Sequence, residues 1–151
     1  MPDYDDQELR AVANELAEAA RGPILRHFRS EGLSADNKLA DGFDPVTIAD
    51  KEAEAAMRSV LAARRPHDGI FGEEAGRTPG TSGLTWVLDP IDGTRGFLAG
   101  APVFGVLIAV HDGQRPVLGV IDQPYIGERF MGWSGGATLT RDGNVRTLRT
   151  R

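Results

Sequence analysis

Trp86-Val87-Leu88-Asp89-Pro90-Ile91-Asp92-Gly93-Thr94 decides how this chain is read. An apolar run ends in two carboxylates, and a Gly-Thr step follows that can open a helix. A buried strand with acidic side chains at its carboxyl end is a common way to build a metal site. Gly93 and Thr94 add backbone N–H groups that suit a phosphate oxygen. Pro90 stiffens the turn expected over Asp89–Asp92 and brings no N–H of its own, so the Ile91 carbonyl can point inward beside the carboxylates. A cation together with a phosphate is the expectation, and the rest of the chain must supply further oxygen ligands.

The nearest supply lies just upstream. His67-Asp68-Gly69 turns the chain into Ile70-Phe71-Gly72, a short buried strand ending in Glu73-Glu74. Adjacent acids are usually solvated, but these follow an apolar run as Asp89 and Asp92 do, and the parallel marks Glu73 as a ligand candidate. Ala75 to Gly83 reads as a connection, and Leu84 to Leu88 as the strand feeding the central motif. Glu73, Asp89 and Asp92 are hard oxygen donors of the kind magnesium prefers. One aspartate could bridge two cations roughly 3.5–4 Å apart, an arrangement that activates water in phosphoryl transfer. Thr94 could hydrogen-bond that water.

Further upstream, Asp44-Pro45-Val46-Thr47 leads into a helix whose apolar stripe is Ala49, Ala53, Ala56, Met57, Val60 and Leu61, ending at Pro66. Thr47 and Asp50 fit a capping box, and a capped helix start can also hold a supporting carboxylate in place. Gly32 to Asp44, which carries Lys38, reads as a loop or short hairpin that could cover a site. An amphipathic helix occupies the stretch from Asp5 or Asp6 to about Ser30, kinked at Gly22-Pro23, with acids early and arginines late. His27 falls at its end as a helix residue rather than a ligand, and His67 and His111 are given no role.

Downstream the pattern becomes strands and tight turns. Phe104 to Val110 is apolar throughout, Asp112-Gly113 turns into Val117 to Ile121, and Pro124 to Gly127 leads to Arg129 to Trp133. Ala137 to Thr140, Asp142-Gly143 and Val145 to Leu148 complete a meander whose links are too short for parallel crossovers. The fold class is therefore α+β, with two N-terminal helices packed on a mostly antiparallel sheet in a single domain.

The 151 residues hold 22 acidic and 17 basic side chains, a formal charge of −5, with no basic block. That balance argues against a nucleic-acid partner and against an anionic membrane surface. With no cysteine, disulfides, zinc-thiolate sites, iron–sulfur clusters and thiol nucleophiles are excluded. Met1-Pro2-Asp3-Tyr4-Asp5-Asp6 lacks the basic start and apolar core of a secretion signal, so a cytoplasmic protein is expected.

Asp-Pro and Asp-Gly are also ordinary turn dipeptides, so the central motif alone could be merely a turn. The spacing of Asp89 and Asp92 differs from the Asp-x-Asp of aspartyl-phosphate enzymes, and an EF-hand loop is absent. Taken together, Gly72-Glu73-Glu74, Trp86 to Thr94 and the preceding Asp44-Pro45-Val46-Thr47-Ile48-Ala49-Asp50 resemble the inositol monophosphatase family. The resemblance implies that Glu73, Asp89 and the Ile91 carbonyl hold one magnesium, and Asp89 and Asp92 a second. It implies that Thr94 and Glu73 orient the nucleophilic water, with Asp50 and Thr47 supporting Thr94 from behind. The Gly93 and Thr94 amides would hold the phosphate of a small phosphate monoester.

Within the family, Asn37-Lys38, Phe43-Asp44-Pro45, Asp92-Gly93-Thr94-Arg95 and the segment Val120 to Phe130 are most similar to the histidinol-phosphate phosphatase branch. Inositol phosphatases more often carry Thr-Asn-Phe where this chain has Arg95-Gly96-Phe97. Family members usually run to roughly one and a half to two times this length, so the resemblance reaches only the N-terminal, metal-binding half of their fold. The missing half is where the family keeps one more aspartate for the second metal and most side chains that choose the alcohol. The first metal site is expected to be complete and the second incomplete, giving weak magnesium binding and little turnover without a partner. That partner would be a second copy, dimers being usual in the family, or the missing C-terminal half.

Overall fold

The computed structural model describes residues 3–38 and 45–150. Helix α1 covers Asp6–His27, strands β1 and β2 cover Ala35–Asn37 and Pro45–Thr47, and helix α2 covers Ile48–Arg64. Strands β3 (Gly69–Gly72), β4 (Gly76–Thr78) and β5 (Thr85–Asp92) precede the short helix α3 (Thr94–Leu98). The meander follows as β6 (Gly105–His111), β7 (Pro116–Gln123), β8 (Glu128–Trp133), β9 (Gly136–Arg141) and β10 (Asn144–Thr147).

Local chemistry explains the helix ends. Asp5 caps α1 by accepting from the Gln7 N–H at 2.8 Å, with Asp6 and Glu8 in the first turn and Arg26 in the last, each charge opposing the helix dipole. α1 continues through Pro23 and buries Leu9, Val12, Ala13, Leu16, Ala17, Ala20 and Ile24. α2 begins at the capping box expected from Thr47 and Asp50. β1 pairs antiparallel with β2, as a short hairpin would require; residues 39–44, including the Asp44 of the expected motif, lie outside the described part.

Eight strands form the main sheet in the order β10-β9-β8-β7-β6-β5-β3-β4, antiparallel except for β3 beside β5. Because side chains alternate along a strand, the register sorts residues onto two faces. Trp86, Val110, Leu118 and Trp133 form one cross-strand row, and Leu88, Ile108, Val120 and Met131 the next. These rows join the helix residues in the core. The opposite face carries Phe71, Val87, Ile121 and Phe130, all exposed; Ile121 is 55% exposed. The helices thus cover one face of a sheet that is apolar on both.

Two sequence expectations need correction. Asp89-Pro90-Ile91-Asp92 is not a turn: β5 runs through it, with its pairing to β6 shifting between Asp89 and Asp92. Pro90, having no N–H, sits where ladder bonding is interrupted, so the strand bulges rather than ends. The Ala75–Gly83 connection contains the edge strand β4, which three residues of unremarkable composition could not announce. The turn at Asp142-Gly143 matches its sequence signal, with φ of 50° and 76° as a two-residue hairpin requires.

Asp68, in the turn before β3, ties the sheet together. Its Oδ2 accepts from the Trp86 indole at 2.8 Å and from Arg65 Nε at 2.7 Å. Burial pushes this carboxyl up, but hydrogen bonds from Arg65, Ser82 and Trp86 outweigh it and hold the carboxyl below its ordinary value. A depressed folded-state pKa stabilises above the unfolded value and loses that contribution as pH falls through the folded one. Asp68→Asn should cost about 2 kcal/mol at neutral pH by weakening a buried charged acceptor. Melting curves between pH 7 and pH 3 should show the gap between native chain and variant closing toward the acid end.

Candidate active site

β3 and β5 are parallel neighbours with Gly72 opposite Leu88, so their carboxyl ends arrive at one place. The Glu73 N–H continues the ladder by donating to the Leu88 carbonyl at 3.0 Å. The Glu73 and Asp89 carboxyls, each one residue past that pair, lie close enough to be hydrogen-bonded when one of them is protonated. They line a pocket of about 280 Å³ together with Ile91, Asp92, Gly93, Thr94 and Arg95. Gly93 enters α3 with φ of 86°, and a Cβ there would sit 2.8 Å from the Val103 carbonyl oxygen, so glycine is required.

Thr94 links this pocket to α2. Its hydroxyl lies 3.2 Å from Asp50 Oδ1 and 3.0 Å from the Ile91 carbonyl, and its single proton serves one acceptor at a time. Asp50 is buried, and its Oδ2 accepts from the Thr47 N–H at 2.8 Å and the Thr47 hydroxyl at 2.6 Å. Burial raises the Asp50 carboxyl, while the Thr47 and Thr94 hydrogen bonds pull the other way. The chain Thr47–Asp50–Thr94 is thus present as geometry.

The acidic pair is electrostatically loaded. Burial, then the contact with Glu73, then the charges of Asp92 and Asp50 push Asp89 up to about 8. Glu73 is raised by burial but held low overall by its hydrogen bonds with Asp89 and Lys38. The contact thus moves the two carboxyls in opposite directions, Asp89 up and Glu73 down. Asp89 Oδ1 is buried with no hydrogen-bond partner.

Among the described residues no three acidic or histidine side chains form a ready-made cation cluster. Asp92 lines the same pocket as Glu73 and Asp89, and its charge acts on Asp89. Asp92 follows the bulge and is exposed, whereas Glu73 is engaged by Asp89 on one side and Lys38 on the other. An unpartnered buried carboxylate oxygen beside a second carboxylate and a carbonyl is nonetheless a donor set that fits a hard divalent cation.

Two contributors were not anticipated. Glu54, fully buried, accepts the Glu74 N–H at 2.7 Å, the Ala75 N–H at 3.0 Å and Arg58 Nε at 2.9 Å, fixing the segment after Glu73. A Cβ on Gly72 would collide with this carboxylate. The available signal was an acid beside the apolar stripe of α2 with an arginine four residues on. Lys38 stands in the sequence reading as a residue of a covering loop and of the Asn37-Lys38 branch cue, with no electrostatic role; its ammonium reaches Glu73 and Glu74. His27 bonds Glu52 at 2.8 Å, away from the pocket, as expected of a helix-end residue. No helix is long and apolar enough to cross a membrane among the described residues.

Comparison with known proteins supplies the context. A histidinol-phosphatase of Chlorobaculum parvum is 39% identical over 135 residues, covering 89% of this chain and 51% of that protein. An inositol-1-monophosphatase of Mycobacterium leprae is 38% identical over 164 aligned residues, covering 99% of this chain and 56% of that protein. The solved structure of an inositol monophosphatase from Zymomonas mobilis superposes with a TM-score of 0.76 at 41% identity, over 99% of this chain and 55% of that one. The chain spans about half the length of the relatives it matches. The model of the inositol monophosphatase family matches residues 5–150, and with the shared half-fold this establishes that the chain belongs to that family.

Proposed function

We propose that the chain forms the cation- and phosphate-binding part of a magnesium-dependent phosphate monoester hydrolase, with histidinol phosphate as first substrate and inositol phosphate as second. The observation that carries this reading is the Thr94 hydroxyl held between Asp50 and the Ile91 carbonyl on the rim of the pocket that Glu73 and Asp89 share. Glu73, Asp89, the Ile91 carbonyl and Asp92 would hold magnesium, which when bound supplies a Lewis acid for water and phosphate oxygens. Asp50, itself oriented by Thr47, keeps the Thr94 proton turned inward, leaving Thr94 lone pairs free to accept from a water in the pocket. Glu73 is the second acceptor for that water, and the Gly93 and Thr94 amides orient the phosphate. Support for the histidinol branch comes from Arg95-Gly96-Phe97 and from the name of the Chlorobaculum relative.

Phosphate release from both substrates, with and without magnesium, tests the reading. The assay is run on the chain alone and after addition of the C-terminal half of a related phosphatase. Magnesium-dependent release that needs the added half, faster with histidinol phosphate, is expected. Release that ignores magnesium would end the proposal.

A second reading is favoured by the bare sheet face. Val87, Leu107, Ile121 and Phe130 line an apolar groove of about 530 Å³ that reaches Asp89. In this view the chain is an assembly module that pairs with a second copy or with a C-terminal half, its carboxylates binding cations without turnover. Binding of that half without magnesium-dependent release would favour the module.

A further inference from the structure

We infer that Lys38 is a built-in counter-cation of this site, holding a Glu73 oxygen that a divalent ion must win, and so sets the affinity for that ion. The inference rests on the reading of Glu73 and Asp89 as cation ligands. Lys38 directly follows β1, and its Nζ lies 3.1 Å from Glu73 Oε1 and 2.8 Å from Glu74 Oε1. The two carboxylates are held differently. The Glu74 side chain is 7% exposed and its backbone N–H is fixed by Glu54, whereas the Glu73 side chain is 41% exposed.

Glu74 is therefore the anchor of the ammonium, and Glu73 is the partner that can be released. Glu73 is also the residue that touches Asp89. A divalent ion that engages the Glu73–Asp89 pair would meet a positive charge already bonded to one ligand oxygen. At a separation of about 5 Å, even water-like screening makes that repulsion worth roughly tenfold in affinity. Lys38 thereby keeps the carboxylates together without an ion and raises the ion concentration needed to fill the site.

Manganese titration followed by the paramagnetic resonance of the free ion reads this directly, with no need for turnover. Lys38→Met and Lys38→Gln should each bind manganese roughly tenfold more tightly than the native chain. Lys38→Arg, which keeps the charge, should stay within about twofold. Unchanged or weaker manganese binding in both neutral variants overturns the inference. So does a loss confined to inorganic phosphate binding, which would make Lys38 a phosphate contact instead. Absence of manganese binding in the native chain and both neutral variants overturns the cation-ligand reading beneath it. Circular-dichroism melts of each variant verify that a folded chain is being compared.

Discussion

Asp89→Asn is expected to make the chain more stable in EDTA and, at the same time, insensitive to magnesium. Asp89 combines an unpartnered buried oxygen with a carboxylate neighbour, Glu73, at hydrogen-bonding distance. Its carboxyl, pushed up to about 8 by burial and then by Glu73, keeps a proton in the folded state that the unfolded chain releases near its ordinary value. The folded chain thus binds more protons across the window between about 4 and 8, and stability falls as pH rises through it. Asparagine removes that slope, and its amide can donate to Glu73 at every pH. The coupling to Glu73 and the open pocket keep the gain well below what the bare shift implies, on the order of 2 kcal/mol above pH 8. For a chain of this size that corresponds to a rise of about 4–8 °C in melting temperature. Saturating magnesium should stabilise the native chain by mass action and leave the variant unmoved. In the complemented phosphatase assay the variant should lose activity by about a thousandfold, the loss expected when a cation ligand and its charge are removed together. A variant that melts lower than the native chain in EDTA at pH 8 would contradict the strain assigned to Asp89.

Glu54→Ala should be the most damaging single change outside the apolar core. The Glu54 carboxylate takes two backbone amides and the Arg58 guanidinium, and alanine leaves all three without it. Arg58 retains the Gly76 carbonyl at 2.6 Å and Thr78 Oγ1 at 3.0 Å, so its loss is partial. The two amides at Glu74 and Ala75 have no such reserve. Breaking a buried charged pair on one side costs about 3–5 kcal/mol, which is a large part of a domain's stability. Urea denaturation would measure it. Glu54→Gln keeps an acceptor for one amide and should lose roughly half as much. It therefore serves where the alanine variant does not fold. Both should weaken manganese binding, because Glu54 fixes the Glu74 and Ala75 amides that directly follow Glu73. A loss under 1 kcal/mol in the alanine variant would show that the segment is held by other means.

Legibility in the sequence followed the range of the interactions. Thr47 and Asp50 are three residues apart, so their capping box could be read from composition and spacing. The meander was equally readable, because Asp112-Gly113 and Asp142-Gly143 place left-handed backbone where short hairpins need it. The central motif announced its acids but not its shape. Whether Pro90 ends a strand or sits in a bulge depends on β6, which lies beyond α3. β4 and Glu54 were missed for a related reason. An edge strand is defined by its neighbour, and a buried acid by the amides that reach it.

By itself, the sequence determined the α+β class, the order of the two long helices and the meander, the capped start of α2 and the identity of the acidic and hydroxyl side chains available for chemistry. Those properties follow from periodicity, turn preference and side-chain type, all of which act within a few residues. The tertiary structure alone decided that Glu73 meets Asp89, that Thr94 reaches Asp50 across 44 positions, and that Lys38 bridges Glu73 and Glu74. Each of those contacts depends on β3 lying parallel to β5 and on the hairpin of β1 and β2 delivering α2 to their carboxyl ends. Such non-local pairings are selected by burial of the whole core, which no short stretch of the chain encodes.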